Sequence, residues 1–549
     1  MFNASEIFVK ALENEKVEYI FGVPGEENID FLEALRKSKI QFILTRHEQG
    51  AGFMADIYGR LTGKAGVCLA TIGPGSTNLL TAIADANLDR APLVAITGQA
   101  DTKRMHKESH QFIDIVSMFK PVTKWNTSIA RPDIVAEAVR KAFKIAEAEK
   151  PGATHLEFPE DVATEECKHP EFFEIKKVRR PAPDYKAVNM AIDLIKKAKK
   201  PLILAGNGAI RKRATKQLRL FLEKTNMAVC NTFMAKGAAG HAYENNLLTI
   251  GLQSRDHVTC AFDEADLVIC IGYDIVEYSP QFWNPDGDKK IIHIDFESAE
   301  VDYWYDPEVE IVADIASTLW EINEKIDDTF PKNISKFASK HRKLIHKEMH
   351  EYDNDTSFPI KPQKILHDIR EVLDDEDILI SDVGAHKMWI ARMYMAKEPN
   401  TCLISNGFAT MGIALPGGIA AKLIYPDRKI LTVSGDGGFL MNAQELETAV
   451  RLKTNTVNLI WTDGTFGLIE WKQKNKYGHA FGTRFNNPDW VQMAKSFGAE
   501  GIKVKKGDDL QKILKKAFKM NKPVVIDCPV DYRENIKLTK RLGQLVCPI

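Results

Sequence analysis

The sequence predicts an α/β protein built from three doubly wound parallel-sheet domains. Three observations carry this: a length of 549 residues, short apolar runs alternating with segments of helical period, and two polar stretches that divide the chain. At about 150 residues per domain the length gives three to four units. One dividing stretch, 168–185, holds Lys176, Lys177, Arg179, Arg180, Pro181 and Pro183 without a period; the other, 329–362, ends in Pro359 and Pro362. Cutting there leaves domains at 1–167, 186–328 and 360–549, each of ordinary size. No tandem repeat is visible, which excludes a solenoid.

In chain order, the runs at 19–21, 67–71, 93–97, 201–205, 267–271, 291–294, 377–381, 429–433, 457–461 and 524–528 read as buried strands. The segments at 28–37, 133–148, 442–452 and 508–518 carry apolar residues at helical spacing. A charged helix-like piece at 336–351 presents Lys340, Arg342, Lys343 and Lys347, which read as a solvated face.

Charge is balanced, with 74 Lys and Arg against 75 Asp and Glu, so no global field draws the chain to nucleic acid or to an anionic membrane. Hydrophobic content of 44% and charged content of 27% exclude wholesale disorder. No run approaches eighteen apolar residues, and the first sixteen residues carry Glu6, Lys10, Glu13, Glu15 and Lys16, so neither a membrane span nor a signal peptide is expected. The eight cysteines, Cys68, Cys167, Cys230, Cys260, Cys270, Cys402, Cys528 and Cys547, form no C-x-x-C pair. Reduced core thiols in a cytoplasmic protein are expected.

The strongest local signal is Ser434-Gly435-Asp436-Gly437-Gly438, between the strand at 429–433 and the helical pattern at 442–452. The next strand, 457–461, runs on to Asp463, 27 positions beyond Asp436. This is the length of one βαβ unit, whose crossover makes both strands parallel and puts both aspartates at the same C-terminal sheet edge. Two hard carboxylates beside glycine backbone suit Mg²⁺ on a diphosphate, with the helix N-terminus expected near Met441 and Asn442. Turn aspartates that merely end strands are the alternative, and the short G-D-G motif alone does not decide between them. Gly59-Arg60-Leu61-Thr62-Gly63-Lys64-Ala65 lacks the spacing and final hydroxyl of a P-loop.

Further motifs lie along the whole chain: Gly22-Val23-Pro24-Gly25, Thr45-Arg46-His47-Glu48-Gln49-Gly50, Gly73-Pro74-Gly75-Ser76-Thr77-Asn78, His110-Gln111, Val383-Gly384-Ala385-His386, Ser405-Asn406-Gly407-Phe408-Ala409-Thr410-Met411-Gly412 and Val530-Asp531-Tyr532-Arg533-Glu534-Asn535. Taken singly, each has an ordinary reading. Glu48 would be a helix-face carboxylate paired with Arg46 or solvent, His386 a structural histidine, Met411 core packing, and the Gly-Pro clusters turn punctuation. Taken together and in order, they resemble the thiamine-diphosphate-dependent carboligases, specifically the acetolactate synthases of the catabolic, flavin-free kind.

The resemblance implies the thiamine-diphosphate-binding fold in all three domains, with thiamine diphosphate and Mg²⁺ as cofactors. Asp436, Asp463 and the Thr465 carbonyl would hold the metal. Val383, Gly384, Ala385, His386, Gly435, Gly437 and Gly438 would wrap the diphosphate. Val23, Pro24, Gly25, Gly75 and Asn78 would approach the pyrimidine, and Glu48 would set its tautomer. Ala409 would accept a hydrogen bond from the ring's amino group, Met411 would support the folded cofactor, and Gln111 would face the reacting carbon. The implied activity is decarboxylation of pyruvate and condensation of the hydroxyethyl carbanion with a second pyruvate to give 2-acetolactate. A 2-keto-acid decarboxylase, or a carboligase with another donor or acceptor, is the alternative.

The same resemblance places first and last domains of opposite subunits around each site, so a homodimer or homotetramer is expected, without nucleic acid or membrane. Lys472 stands where the catabolic enzymes usually carry glutamine, Phe408-Ala409 replaces a more polar pair, and Gly25-Glu26-Glu27-Asn28 replaces a less acidic turn. These changes leave the acceptor open. Gly206-Asn207-Gly208 has Arg211 where a dinucleotide fingerprint has its third glycine, so FAD is expected to be absent.

Overall fold

Three six-stranded sheets form, and within each of them all neighbours run parallel, while Phe2–Asn3 and Glu166–Cys167 make a separate two-stranded antiparallel pair. The computed structural model describes residues 2–168, 170–176, 179–240, 243–252, 256–327, 330 and 336–535; Cys547, Lys177 and parts of both dividing stretches lie outside the described residues. The first sheet runs Gln41–Leu44, Tyr19–Gly22, Gly66–Ala70, Leu93–Gln99, Ala153–Pro159, Trp125–Ser128. The last runs Cys402–Ile404, Ile378–Ser381, Ile430–Gly435, Val457–Thr462, Val524–Pro529, Glu500–Lys503. Numbered within their own domains, both have the order 2-1-3-4-6-5. The middle sheet runs Asn246–Thr249, Ala228–Asn231, Pro201–Ala205, Leu267–Ile271, Lys290–Asp295, Val309–Val312, the order 3-2-1-4-5-6.

In such sheets ligands bind where the strand order reverses, beyond the carboxyl ends of the strands. That point lies after Tyr19–Gly22 and Gly66–Ala70 in the first domain, and after Ile378–Ser381 and Ile430–Gly435 in the last. The outer domains share one apolar core, in which Phe53, Met54 and Ile57 pack with Ile380, Ile413, Leu415 and Ile419. The middle domain has its own core on either face of its sheet.

Three expectations are corrected. The helix after Ile430–Gly435 does not start near Met441: a short helix, Asp436–Phe439, opens on the motif aspartate, and Glu445–Arg451 follows after a break. The break exists because Asn442 is drawn inward, its amide donating to the Gly412 carbonyl and to Gln49 Oε1, each at 2.9 Å. On the helix Lys336–His350, Lys340, Lys343 and Lys347 are exposed as expected of a solvated face, but Arg342 is half-buried and donates to the Asn246 carbonyl, while Ala338, Ile345 and Met349 on the other face are buried against the middle domain. Six described cysteines carry free thiols, but Cys260 is disulfide-bonded. Among the described residues, no helix is long and apolar enough to cross a membrane.

Candidate functional site

Asp436 and Asp463 meet at the sheet edge, as parallel neighbouring strands require: Gly435 and Trp461 are register partners, and each aspartate lies just beyond. Asp436 is buried and its carboxylate accepts from four donors: the N–H groups of Gly437 (2.9 Å), Asp463 (3.1 Å) and Gly464 (2.7 Å), and the Asn487 amide (2.7 Å). Burial and the neighbouring Asp436 carboxylate push Asp463 up to about 7. Two carboxylates crowded together in this way are what a divalent cation would relieve. Thr465 is held by its hydroxyl, which donates to Glu470 Oε2 at 2.7 Å and the Thr483 carbonyl at 3.1 Å. Its own carbonyl accepts from the Gly467 N–H at 2.9 Å and keeps a second lone pair.

Polar atoms without partners surround this edge. His386 Nε2, Asn487 Oδ1 and the Tyr532 hydroxyl are buried and make no hydrogen bond. His386 sits between the strand ends, where a Cβ at Gly384 or Gly435 would meet its ring at 2.9 and 3.4 Å. Buried polar groups are normally paired, so these atoms point to a polar ligand such as a diphosphate with its metal. Val383, Gly384 and Ala385 lead directly into the helix Ala385–Met393 at the same edge.

A second group assembles in the first domain. Glu48 opens the helix Glu48–Thr62, a favourable place for a carboxylate, and His47 caps that helix by accepting from the Gln49 N–H at 3.0 Å. The partner of Glu48 is neither Arg46 nor solvent alone: the Asn78 amide donates to its Oε2 at 2.9 Å. Gly75 lies alongside, its Cβ position 3.4 Å from Glu48 Oε1, because any larger residue would fill the space over the carboxylate. Gly25 is forced by the same crowding, since a Cβ there would come within 2.2 Å of the Thr71 side chain. Val23 and Pro24 precede it, after Tyr19–Gly22. Gln111 arrives from a separate loop, its carbonyl 2.6 Å from the Cβ position of Gly73.

Ala409 and Met411 lie on the turn after Cys402–Ile404, with Ala409 at φ +58°, a conformation that a non-glycine residue keeps only when its surroundings impose it. Asp382 holds the far side of this turn, accepting from the N–H groups of Gly412 at 2.8 Å and Ala414 at 3.4 Å. It also accepts from Ser434 at 3.3 Å, tying the Met411 turn to the aspartate motif. Among the described residues, no hydrogen bond joins Glu48 or Asn78 to Asp436 or Asp463.

Comparison with known proteins bears on this arrangement. Three descriptions match in order: thiamine pyrophosphate enzyme, N-terminal TPP binding domain, over residues 2–118; the central domain over 188–322; and the C-terminal TPP binding domain over 382–528. The chain is 37% identical to an acetolactate synthase of Bacillus subtilis, covering 99% of this chain and 96% of that protein. It is 34% identical to a catabolic acetolactate synthase of Raoultella terrigena, covering 99% and 97%. It is also 34% identical to a probable acetolactate synthase large subunit of Methanocaldococcus jannaschii, covering 99% and 95%. The chain belongs to the thiamine pyrophosphate-dependent acetolactate synthase family.

Within a member of that family, several residues of the site carried no sequence signal. Asn487 lies 51 positions from its partner Asp436, and Asp382 precedes the Val383-Gly384 motif without belonging to it. Tyr532 was visible only as part of a longer likeness. Lys472 is exposed on the helix Gly467–Tyr477. A cavity of about 1010 Å³ opens elsewhere, between all three domains, and includes none of the predicted cofactor or metal residues. The reversal point of the middle sheet is nearly closed. The space between Gly208, Gly272, Asp274 and Asp295 is about 10 Å³, and Arg90 of the first domain reaches in to Asp274 at 2.6 Å.

Proposed function

We propose that this protein condenses two molecules of pyruvate into 2-acetolactate with loss of carbon dioxide, using thiamine diphosphate and Mg²⁺. The observation that carries the reading is the pair Asp436 and Asp463 at one sheet edge, among buried polar atoms that lack partners, in a chain whose relatives along nearly their whole length are acetolactate synthases. Asp436, Asp463 and the Thr465 carbonyl would hold the metal, while Val383, Gly384, Ala385, His386, Gly435, Gly437 and Gly438 would line the diphosphate. Val23, Pro24, Gly25, Gly75 and Asn78 would bound the pyrimidine, with the Ala409 carbonyl and Met411 on its other side. Thiamine diphosphate, when bound, supplies a carbon nucleophile and an electron sink for decarboxylation.

The protein's own contribution is orientation and proton control. Glu48, held by Asn78, would exchange a proton with a ring nitrogen, and Gln111 would offer an amide to a substrate carbonyl or carboxylate. Phe408, Leu440, Met441, Phe466, Ile469 and Phe481 are exposed on the domain that carries the aspartates. Exposed apolar groups in this number mark a protein interface, which supports a dimer in which the first domain of a second copy closes the site. Gly206-Asn207-Gly208, with Arg211 in place of the third glycine of a dinucleotide fingerprint, supports a flavin-free enzyme. Six of the seven described cysteines carry free thiols, a proportion that supports a cytoplasmic location. Incubation with pyruvate, thiamine diphosphate and Mg²⁺, with products identified, tests the reading. Acetolactate as main product is expected; acetaldehyde alone, or no turnover, overturns it.

A further inference from the structure

Two helices of the first domain, Glu48–Thr62 and Pro74–Leu88, begin at Glu48 and beside Asn78 and end in a buried charge cluster. Arg60 donates to Asp56 at 2.5 Å, to Asp85 at 3.0 Å and to Asp89 at 2.7 Å. The three carboxylates are fully buried and the guanidinium nearly so. Three acids around one arginine exceed what neutralising it requires, and removing each from water is costly. The surplus has a use, because the acids also bind the last domain.

Asp85 Oδ1 accepts from the Ser405 hydroxyl and from the Thr410 hydroxyl, each at 2.6 Å. Asp89 accepts from the N–H groups of Asn406 at 3.0 Å and Gly407 at 2.5 Å. The guanidinium reaches the Ile404 carbonyl at 3.2 Å, and Lys387 holds the Ser405 carbonyl at 2.7 Å. The Ser405 hydroxyl in turn accepts from the Thr410 N–H at 3.0 Å, closing the turn on itself. Gly407 is pressed so closely that a Cβ would lie 2.7 Å from Asp89. The two residues bonded to Asp85 therefore bracket Ala409, the strained position, and Met411 follows directly.

We propose that Asp85 is a positioning residue for cofactor binding. Through the hydroxyls of Ser405 and Thr410 it fixes the turn that presents the Ala409 carbonyl and the Met411 side chain. The inference rests on the reading of Met411 as the surface on which the cofactor folds, and it adds that this surface is set from the first domain of the same chain. A carboxylate suits the task, since one oxygen takes two hydroxyl donors while the other stays on Arg60.

The test is a double-mutant cycle read by equilibrium binding of thiamine diphosphate in the presence of Mg²⁺, followed by tryptophan fluorescence of the full-length protein. Asp85→Ala and Met411→Ala are each expected to weaken binding by about tenfold, and the double variant to fall well short of their product of about a hundredfold, because Asp85 acts in part through Met411 and in part through the Ala409 carbonyl. Asp85→Asn keeps an acceptor for both hydroxyls and is expected to restore binding to within about threefold of the original protein. A double variant that shows the full product of the two single effects overturns the proposal, as does failure of Asp85→Asn to rescue. A Met411→Ala variant that binds normally overturns the Met411 reading instead. Should Asp85→Ala not fold, the combined Ser405→Ala and Thr410→Val variant, which leaves the ion cluster intact, takes its place in the cycle with the same expected outcomes.

Discussion

Asp436 and Asp463 look alike in the sequence, but the structure gives them different work. Asp436 is held by four donors, three of them on Oδ2, which fix its carboxylate before any ligand arrives and leave Oδ1 a lone pair for a cation. Asp463 is crowded by it and pushed up to about 7. Asp436→Ala should therefore lose Mg²⁺-dependent cofactor binding by about a hundredfold, whereas Asp463→Asn, which keeps an oxygen ligand and removes a like charge, should stay within about tenfold, both measured by cofactor titration at fixed Mg²⁺. Glu48→Gln should lower turnover by about 10²–10⁴ while leaving cofactor affinity and melting temperature close to the original, since the amide can still face Asn78 but cannot exchange a proton in the same way. The meeting of both aspartates at one sheet edge was legible from their spacing, whereas Glu48 stood out only through the family resemblance. Asn487, Asp382 and Asp85 were not legible. Each acts across the fold on a partner at least 30 positions away, and no local spacing encodes such a bond.

At the scale of elements, the strands that were legible are the unbroken apolar ones at the middle of each sheet. Pro201–Ala205 and Leu267–Ile271 match their predicted bounds to the residue. Sheet-edge strands were missed for a physical reason: Trp125–Ser128 and Glu500–Lys503 bury neither face fully, and Val309–Val312 alternates buried and exposed positions. Ala153–Pro159 was missed although wholly buried, because its interior carries Thr154, His155 and Glu157, and the partners of the last two, Thr97 and Gln99, lie 58 positions away. The two helices that carry Glu48 and Asn78 lie so close that a Cβ at Gly52 would stand 2.5 Å from that of Ala82. Gly52→Ala should force them apart, costing about 1–3 kcal/mol of stability by overpacking. Because Glu48 and Asn78 lie near the same contact, the variant should also raise the thiamine diphosphate concentration needed for half-maximal activity. Thermal unfolding and a cofactor titration check the two effects separately.

For the whole molecule, the question is which chains furnish one site. Glu48 takes its hydrogen bond from Asn78 of its own domain and Asp436 takes one from Asn487 of its own, while the outer domains share a core within one chain. If a dimer closes each site with Glu48 from one subunit and Asp436 from the other, two inactive proteins can repair each other. A hybrid dimer of Glu48→Gln and Asp436→Ala subunits holds one site with both defects and one with neither. Random reassociation of equal amounts makes half the dimers hybrid, so about a quarter of the original activity should return when two-fold symmetry governs the pairing. Sites built within a single chain would return nothing, because every chain in the mixture carries a defect. Mixing the two purified variants under conditions that let subunits exchange, then measuring acetolactate formation against each variant alone, decides between them. The recovered activity should also fall on dilution, with a midpoint equal to the dimer dissociation constant from sedimentation.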